Sequence, residues 1–295
     1  MPKNIVATSA VCYNSSTLCE RGAKQMRKNQ DIDELKKIQK DRKQLVAKSN
    51  QLIQKARYDL APTAQKVVLY CISKIKPTDS IDTEYKINLN DLCQCLGLNM
   101  NEGNYYGYLK GIFLDLCQRQ WAILPDGAIA TISWIGDAKI PKNDSNVYIR
   151  FNSNLQPYLY ELQTKYTTYE LQNVLVLKGK YAIRLYEILR SHTTAKQLGH
   201  FLSTEAEYSI EQLRELLMVE GYKRWSDFES KVISPAIKEI NTYSTDIAIT
   251  YKPIKQGRKM ERIVFTINSP HGKDFADREY KGRMRLKNQS TPEYI

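Results

Sequence analysis

At 295 residues the chain has room for two domains of ordinary size, and a hydrophobic fraction of 42% is enough for packed cores. Lys and Arg outnumber Asp and Glu by 44 to 32, a formal charge of +12 that fits a polyanionic partner, since each cation paired with a phosphate releases condensed counterions; a merely basic surface fits it equally well. No segment approaches the ~20 apolar residues of a membrane span, so no membrane partner is expected.

The six cysteines (Cys12, Cys19, Cys71, Cys93, Cys95, Cys117) form no Cys-x-x-Cys pair, which argues against a structural zinc site. Cys71, Cys95 and Cys117 fall on apolar helix faces, where Cys acts as a small hydrophobe. With no signal peptide, the chain reads as cytoplasmic with reduced thiols.

Residues 1–46 form a polar leader, rich in Ser, Thr and Asn to about Thr17 and then in Lys, Arg, Gln and Asp. Partial disorder is expected there, with a short exposed helix over Asp31–Val46. A first domain is expected over 47–170. Pro62 suits the first turn of a helix, and Val68, Cys71, Ile72 and Ile75 give that helix a buried stripe. Leu89, Leu92, Cys95 and Leu96 make a short second helix, closed by Gly97. Tyr105, Tyr108, Leu109, Ile112, Phe113, Leu116 and Cys117 make a third. Pro125-Asp126-Gly127 reads as the turn of the hairpin after it, between strands Ala122–Leu124 and Ala128–Trp134, with Val147, Ile149 and Phe151 on a further strand.

A second domain is expected over 171–268, in the same order. Tyr181, Leu185, Tyr186 and Leu189 mark helix one. Ser209 and Gln212 form a capping box ahead of Leu213, Leu216 and Leu217 on helix two. Trp225, Phe228, Val232, Ile233, Ala236, Ile237 and Ile240 recur at three- and four-residue steps on helix three, where Pro235 removes a backbone bond and kinks the axis. Ile247, Ile249 and Tyr251, then Ile263, Phe265 and Ile267, alternate as two half-buried strands around a loop at Gly257. The third helices superpose at a shift of 120 residues, Tyr105, Tyr108, Ile112, Phe113, Leu116 and Cys117 onto Trp225, Phe228, Val232, Ile233, Ala236 and Ile237. The repeated order of helix, short helix, long helix and hairpin predicts an α+β fold of two tandem winged-helix domains.

Such a domain grips a duplex with a helix in the major groove and a cationic hairpin on the phosphates beside it. In the second domain the third helix starts with Lys223, Arg224 and Ser226 and presents Ser230, Lys231 and Lys238 opposite its apolar face. Arg224 and Lys231 are the expected base readers, since long cations suit guanine O6 and N7. The hairpin carries Lys252, Lys255, Arg258, Lys259 and Arg262 against Glu261 alone, and is expected on phosphates. The first domain offers Asn104, Tyr106, Lys110 and Arg119, a less basic set expected to position rather than read. A basic tail over 269–295 (Lys273, Arg278, Lys281, Arg283, Arg285 and Lys287 against Asp274, Asp277 and Glu279) is expected to be solvated or disordered, in non-specific phosphate contact.

No GxxxxGK[ST] loop is present to cradle a nucleotide. His192, His200 and His271 form no metal-ligand pair, which argues against a nicking replication enzyme, and no carboxylate cluster stands out. No catalytic residue, metal or cofactor is expected.

KGKYAIRLYEIL (178–189), VISPAIKEIN (232–241) and QGRKMERIVF (256–265) resemble the initiator replication proteins of theta-replicating, iteron-bearing bacterial plasmids. The first half agrees in LAPTAQKVVLYCISKI, YKINLNDLCQCLGL and FNSNLQPYLYEL. The likeness covers roughly residues 47–267. It implies two winged-helix domains, the first carrying a dimer contact and the second the main base readout. It also implies monomers on origin repeats that open adjacent DNA, dimers that repress the protein's own gene from an operator, and contact with a host initiator ATPase and replicative helicase. The alternative is a tandem winged-helix transcriptional repressor without a replication role.

Overall fold

The structure, a computed structural model, describes residues 33, 36–98, 104–123, 129–142, 144–193, 203–270 and 272–288. The expected turn at Pro125-Asp126-Gly127, most of the leader, and His200 and His271 lie outside the described residues. Residues 42–295 form one compact unit holding both expected domains.

Order begins earlier than the expected boundary. Helical residues 36–42 end before strand β1 (Leu45–Ser49), so the helix expected over Asp31–Val46 stops at Arg42, short of Val46. Val46 is fully buried, and Arg42 donates to the carbonyls of Gln94 (2.9 Å) and Cys95 (3.0 Å). The reason is strand pairing: β1 runs antiparallel to β8 (Tyr166–Glu170), tying the start of the first domain to its end. Ser49 then caps helix α1 (Asn50–Lys55), which leads through β2 (Ala56–Arg57) to α2 (Pro62–Ile72).

The first winged helix is α2, β3 (Tyr85–Asn88), α3 (Leu89–Leu96), α4 (Tyr105–Gln118) and a three-stranded sheet. Asn88 caps α3, and Gly97, at φ +72°, ends it in the left-handed conformation that glycine adopts without strain. The wing is not the hairpin that directly follows α4. Strands β4 (Trp121–Ile123) and β5 (Ala130–Ile132) pair with β2 in a sheet of their own. The sheet equivalent to that of the second domain is β3-β7-β6, with β6 (Ile135–Lys139) and β7 (Asn146–Phe151) as the hairpin. Composition explains the difference: Trp121, Ile123, Ile132 and Trp134 are buried, both tryptophans edge-on to Tyr58, a role no solvent-facing wing can fill.

A short 3-10 turn (Ser153–Leu155) with α5 (Gln156–Leu159), then β8 and α6 (Gln172–Leu175), lead into the second winged helix. It comprises α7 (Lys180–Arg190), β9 (Thr204–Ser209), α8 (Ile210–Leu216), α9 (Trp225–Phe228) and α10 (Ser234–Tyr243), then hairpin β10 (Ala248–Gln256) and β11 (Lys259–Asn268), in sheet order β10-β11-β9. The capping box of Ser209 and Gln212 forms as expected.

Between α9 and α10 lies a π turn, Glu229–Ile233, where the N–H of Ser234 reaches back five residues to the carbonyl of Glu229. Pro235 therefore sits in the first turn of a new helix, where its missing N–H is tolerated, rather than kinking a continuous one. The extra residue also changes the repeat. The buried step Leu109 to Phe113 becomes Phe228 to Ile233, so Tyr108, matched to buried Phe228 by the 120-residue shift, is 49% exposed.

The tail also differs from expectation. Residues Gly272–Asn288 form α11, a helix with Arg278 and Leu286 buried. Of the thiols, Cys71, Cys93 and Cys95 are buried and Cys117 is half-buried, all four unbridged. No described helix is long and apolar enough to cross a membrane.

Candidate nucleic-acid interface

In the second domain the turn between α8 and α9 aims the start of the third helix. Met218 (φ +51°) and Tyr222 (φ +53°) take left-handed conformations that cost non-glycine residues energy, so surrounding contacts must hold them. Arg214 holds the second of them, donating to the carbonyls of Gly221 (2.9 Å) and Tyr222 while its guanidinium stacks 4.4 Å from the Phe228 ring. Sequence reading missed Arg214, because a lone arginine on a short helix carries no periodic signal.

Arg224 is then the N-cap of α9, exposed beside Lys223 and Ser226. Phe228 is fully buried; Trp225, expected in the core, is half-buried and meets Phe228 edge-on at 6.2 Å. Ser230 and Lys231 lie exposed on the π turn, and Lys238 on α10. The π turn is pinned from below, where Tyr251 on β10 donates to Glu229 (3.1 Å).

The wing closes through a two-residue turn whose first residue, Gly257, has φ +60°, the conformation such hairpins reserve for glycine. A bulge between Ile254 and Lys255 leaves Glu261 outside the ladder. Lys252, Lys255 and Arg258 are exposed. Lys259 instead reaches Glu211 (3.2 Å), and Arg262 binds Glu207 and lies 3.6 Å from Glu261. Hydrogen bonding to Glu207 pushes the Arg262 guanidinium further toward its charged form. Among the described residues, Lys223, Arg224, Lys231, Lys238, Lys252, Lys255 and Arg258 have no acidic partner, which leaves seven cations on one helix and its wing.

The first domain's four candidates are engaged internally. Asn104 caps α4, accepting from Gly107 N–H (2.8 Å). Tyr106 donates to Asn90, and Arg119 grips Asp115 with three contacts of 2.9–3.1 Å. Lys110 donates to the carbonyls of Pro141 (3.0 Å) and Lys142 (3.4 Å), which binds α4 to the tip of its wing. Lys139 and Lys142 on the β6–β7 hairpin are exposed, with no acidic partner among the described residues. Sequence period does not single them out, because the apolar hairpin directly after α4 carries the same alternation. The Pro-Lys-Asn-Asp-Ser run ahead of Val147 was the available turn signal.

Among the described residues no group of three or more His, Cys, Asp or Glu side chains is placed to hold a metal ion. His192 is half-buried with Nε2 2.5 Å from the Tyr208 hydroxyl, and burial pushes its pKa down, disfavouring its charged form.

Known proteins agree with this architecture. The family Initiator Replication protein, WH1, matches residues 45–190, and Initiator Rep protein, WH2, matches 209–267. A replication initiation protein of Escherichia coli is 26% identical over 259 residues, covering 85% of this chain and 78% of its own. The PI protein of Escherichia coli is 25% identical over 150 residues, 45% of this chain and 46% of its own. In fold, the chain resembles the Pi initiator protein solved in complex with iteron DNA, with a TM-score of 0.65 and 19% identity over 78% of this chain and 99% of that one. With both winged-helix families matched in order along it, this chain belongs to the initiator replication proteins.

Proposed function

We propose that this protein initiates plasmid replication by binding repeated origin sites in double-stranded DNA, as a monomer that opens the adjacent duplex. The observation that carries the reading is the set of seven unpaired cations on the third helix and wing of the second domain. The solved Pi protein with iteron DNA supports it by likeness. Residues 171–268 make the main contact; residues 47–170 make an accessory one and carry the contact for a repressing dimer on the operator. A host initiator ATPase and the replicative helicase are the protein partners in this reading, which needs no catalytic residue or cofactor.

Two winged helices on successive major grooves sit one helical turn apart, ~10 bp, so a monomer is expected to protect roughly two turns of duplex. Footprinting on direct repeats from beside the gene tests this. Protection of one turn removes the first domain from recognition; binding confined to a lone inverted repeat makes the protein a repressor.

On the helix, Arg224→Ala and Lys231→Ala should each weaken binding to the cognate repeat by ~1–3 kcal/mol and to scrambled duplex far less. A base-edge contact exists only on the right sequence, whereas a phosphate contact exists on every duplex. Equal loss on both duplexes with normal melting would remove this helix as the reader.

On the wing, replacing Lys255, Arg258 and Lys259 together by Ala should weaken all sequences alike and lower the salt slope by up to about 0.9 per lost phosphate contact. Most of that change belongs to Lys255 and Arg258, because Lys259 must first leave Glu211. An unchanged slope with lost sequence preference would make the wing a base reader.

A further inference from the structure

Helix α11 begins beyond the last residue matched by either family, yet it is packed against α10 and the segment ahead of α7. Three contacts place it. Arg278 is buried, donating to the carbonyls of Ile247 (3.0 Å) and Ser244 (3.4 Å), the latter the C-cap of α10, while Asp274 accepts from its Nε at 3.0 Å. Arg285 donates to Glu239 of α10 at 2.6 Å and lies 4.0 Å from the Tyr243 ring. Gly282 faces the segment that joins the domains; a Cβ there would sit 3.3 Å from Val176 Cγ1 and 3.5 Å from the Tyr243 carbonyl.

Glu239 completes the joint. Besides Arg285 it accepts from the backbone N–H groups of Lys178 (2.7 Å) and Gly179 (3.0 Å), immediately ahead of α7. The third helix of the second domain is thus fastened at its far end, through α11 and Glu239, to residues 176–179. That segment continues from Leu175, whose carbonyl accepts from Lys66 of α2 in the first domain (2.8 Å).

We infer that α11 is a clamp that holds α10 in fixed relation to the first domain, with Arg278, Gly282 and Arg285 as positioning residues for two-groove binding. The inference rests on the two-groove reading above. The physical reason is effective concentration: a second contact adds affinity only when the joint already holds it over its site, and a loosened joint returns that gain as entropy. None of the three residues needs to touch DNA for this.

The test uses the full chain with Arg285→Ala and, separately, Gly282→Leu, on two duplexes: the whole cognate repeat, and a truncated one with only the second domain's half. Wild type should prefer the whole repeat by about tenfold or more. Both variants should keep their half-duplex affinity and lose most of that preference. Arg285→Lys, which retains the charge opposite Glu239, should recover part of it. Variants that keep the full preference, or lose affinity equally on both duplexes, overturn the clamp. A wild type with no preference overturns the two-groove reading and the clamp with it.

Discussion

Glu187→Gln should be the most destabilising single change in the joint between the domains, at about 3–5 kcal/mol. Glu187 lies on α7 and is 1% exposed. Lys48 of β1 donates to it at 2.7 Å, Tyr169 of β8 at 2.6 Å and Tyr58 at 3.3 Å, with Arg184 at 4.0 Å. Burial alone would raise the pKa of its carboxyl, but the charges of Lys48 and Arg184 outweigh that and hold it below the usual range, as a carboxylate. Gln keeps the shape and removes the charge, leaving two buried cations facing each other without a counter-ion. Arg184 is also bound to the carbonyls of Ile53 (2.6 Å) and Ala56 (2.9 Å), so it cannot swing out to water without breaking those bonds.

Denaturant unfolding of wild type and variant measures the difference, and a thermal melt should shift by roughly 10 °C in a chain of this size. Adding Lys48→Met should recover part of the loss, since one of the stranded charges is then gone. A loss below about 1 kcal/mol would mean the cluster is open to water and not a buried ionic joint.

Lys66→Met should reveal a stability change that depends on pH. Lys66 is 7% exposed on α2, and burial, with Arg285 and Lys178 adding to it against Glu239, lowers its pKa from 10.5 to about 8. Between those values the native state binds fewer protons than the unfolded chain, so stability rises with pH across that window. Below about pH 8 the ammonium is present in both states and its burial cost is felt in full. The stability of wild type relative to Lys66→Met should therefore climb by about 2–3 kcal/mol between pH 7 and pH 10. Tyr58, Tyr169 and Tyr186, whose pKa values burial raises, lower stability as pH climbs past 10, but they do so in both proteins and cancel in the difference. A difference that stays flat across the window would place Lys66 in contact with water.

Much of the fold is local and was legible for that reason. The stripes of α2, α4, α7 and α10, the capping box at Ser209, the left-handed Gly97 and the glycine turn of the second wing are each set by a few consecutive residues. The wing of the first domain lies beyond what local pattern encodes. Two successive apolar hairpins carry the same period, and only burial against Tyr58 decides which one joins the α2–α4 unit. The candidate site divides in the same way. Sequence placed the cations of the second domain on one helix face and one hairpin, because a helix and a strand fix side-chain direction by period alone.

Which of those cations are free was decided in three dimensions. Lys259 and Arg262 on β11 face Glu211 of α8 and Glu207 of β9, both distant in sequence, and Lys110 is spent on its own wing tip. The tail was a matter of the same kind. Its charges read as solvated until Arg278 and Arg285 found carbonyls and a carboxylate on α10 and its end. The sequence by itself determined two winged helices in tandem and a cationic third helix and wing, since period and capping act within a few residues. Only the tertiary structure decided the joint at Lys48, Lys66, Glu187 and Glu239, because a buried charge takes its partner from whatever the fold brings within about 4 Å, and nothing in local sequence encodes that distance.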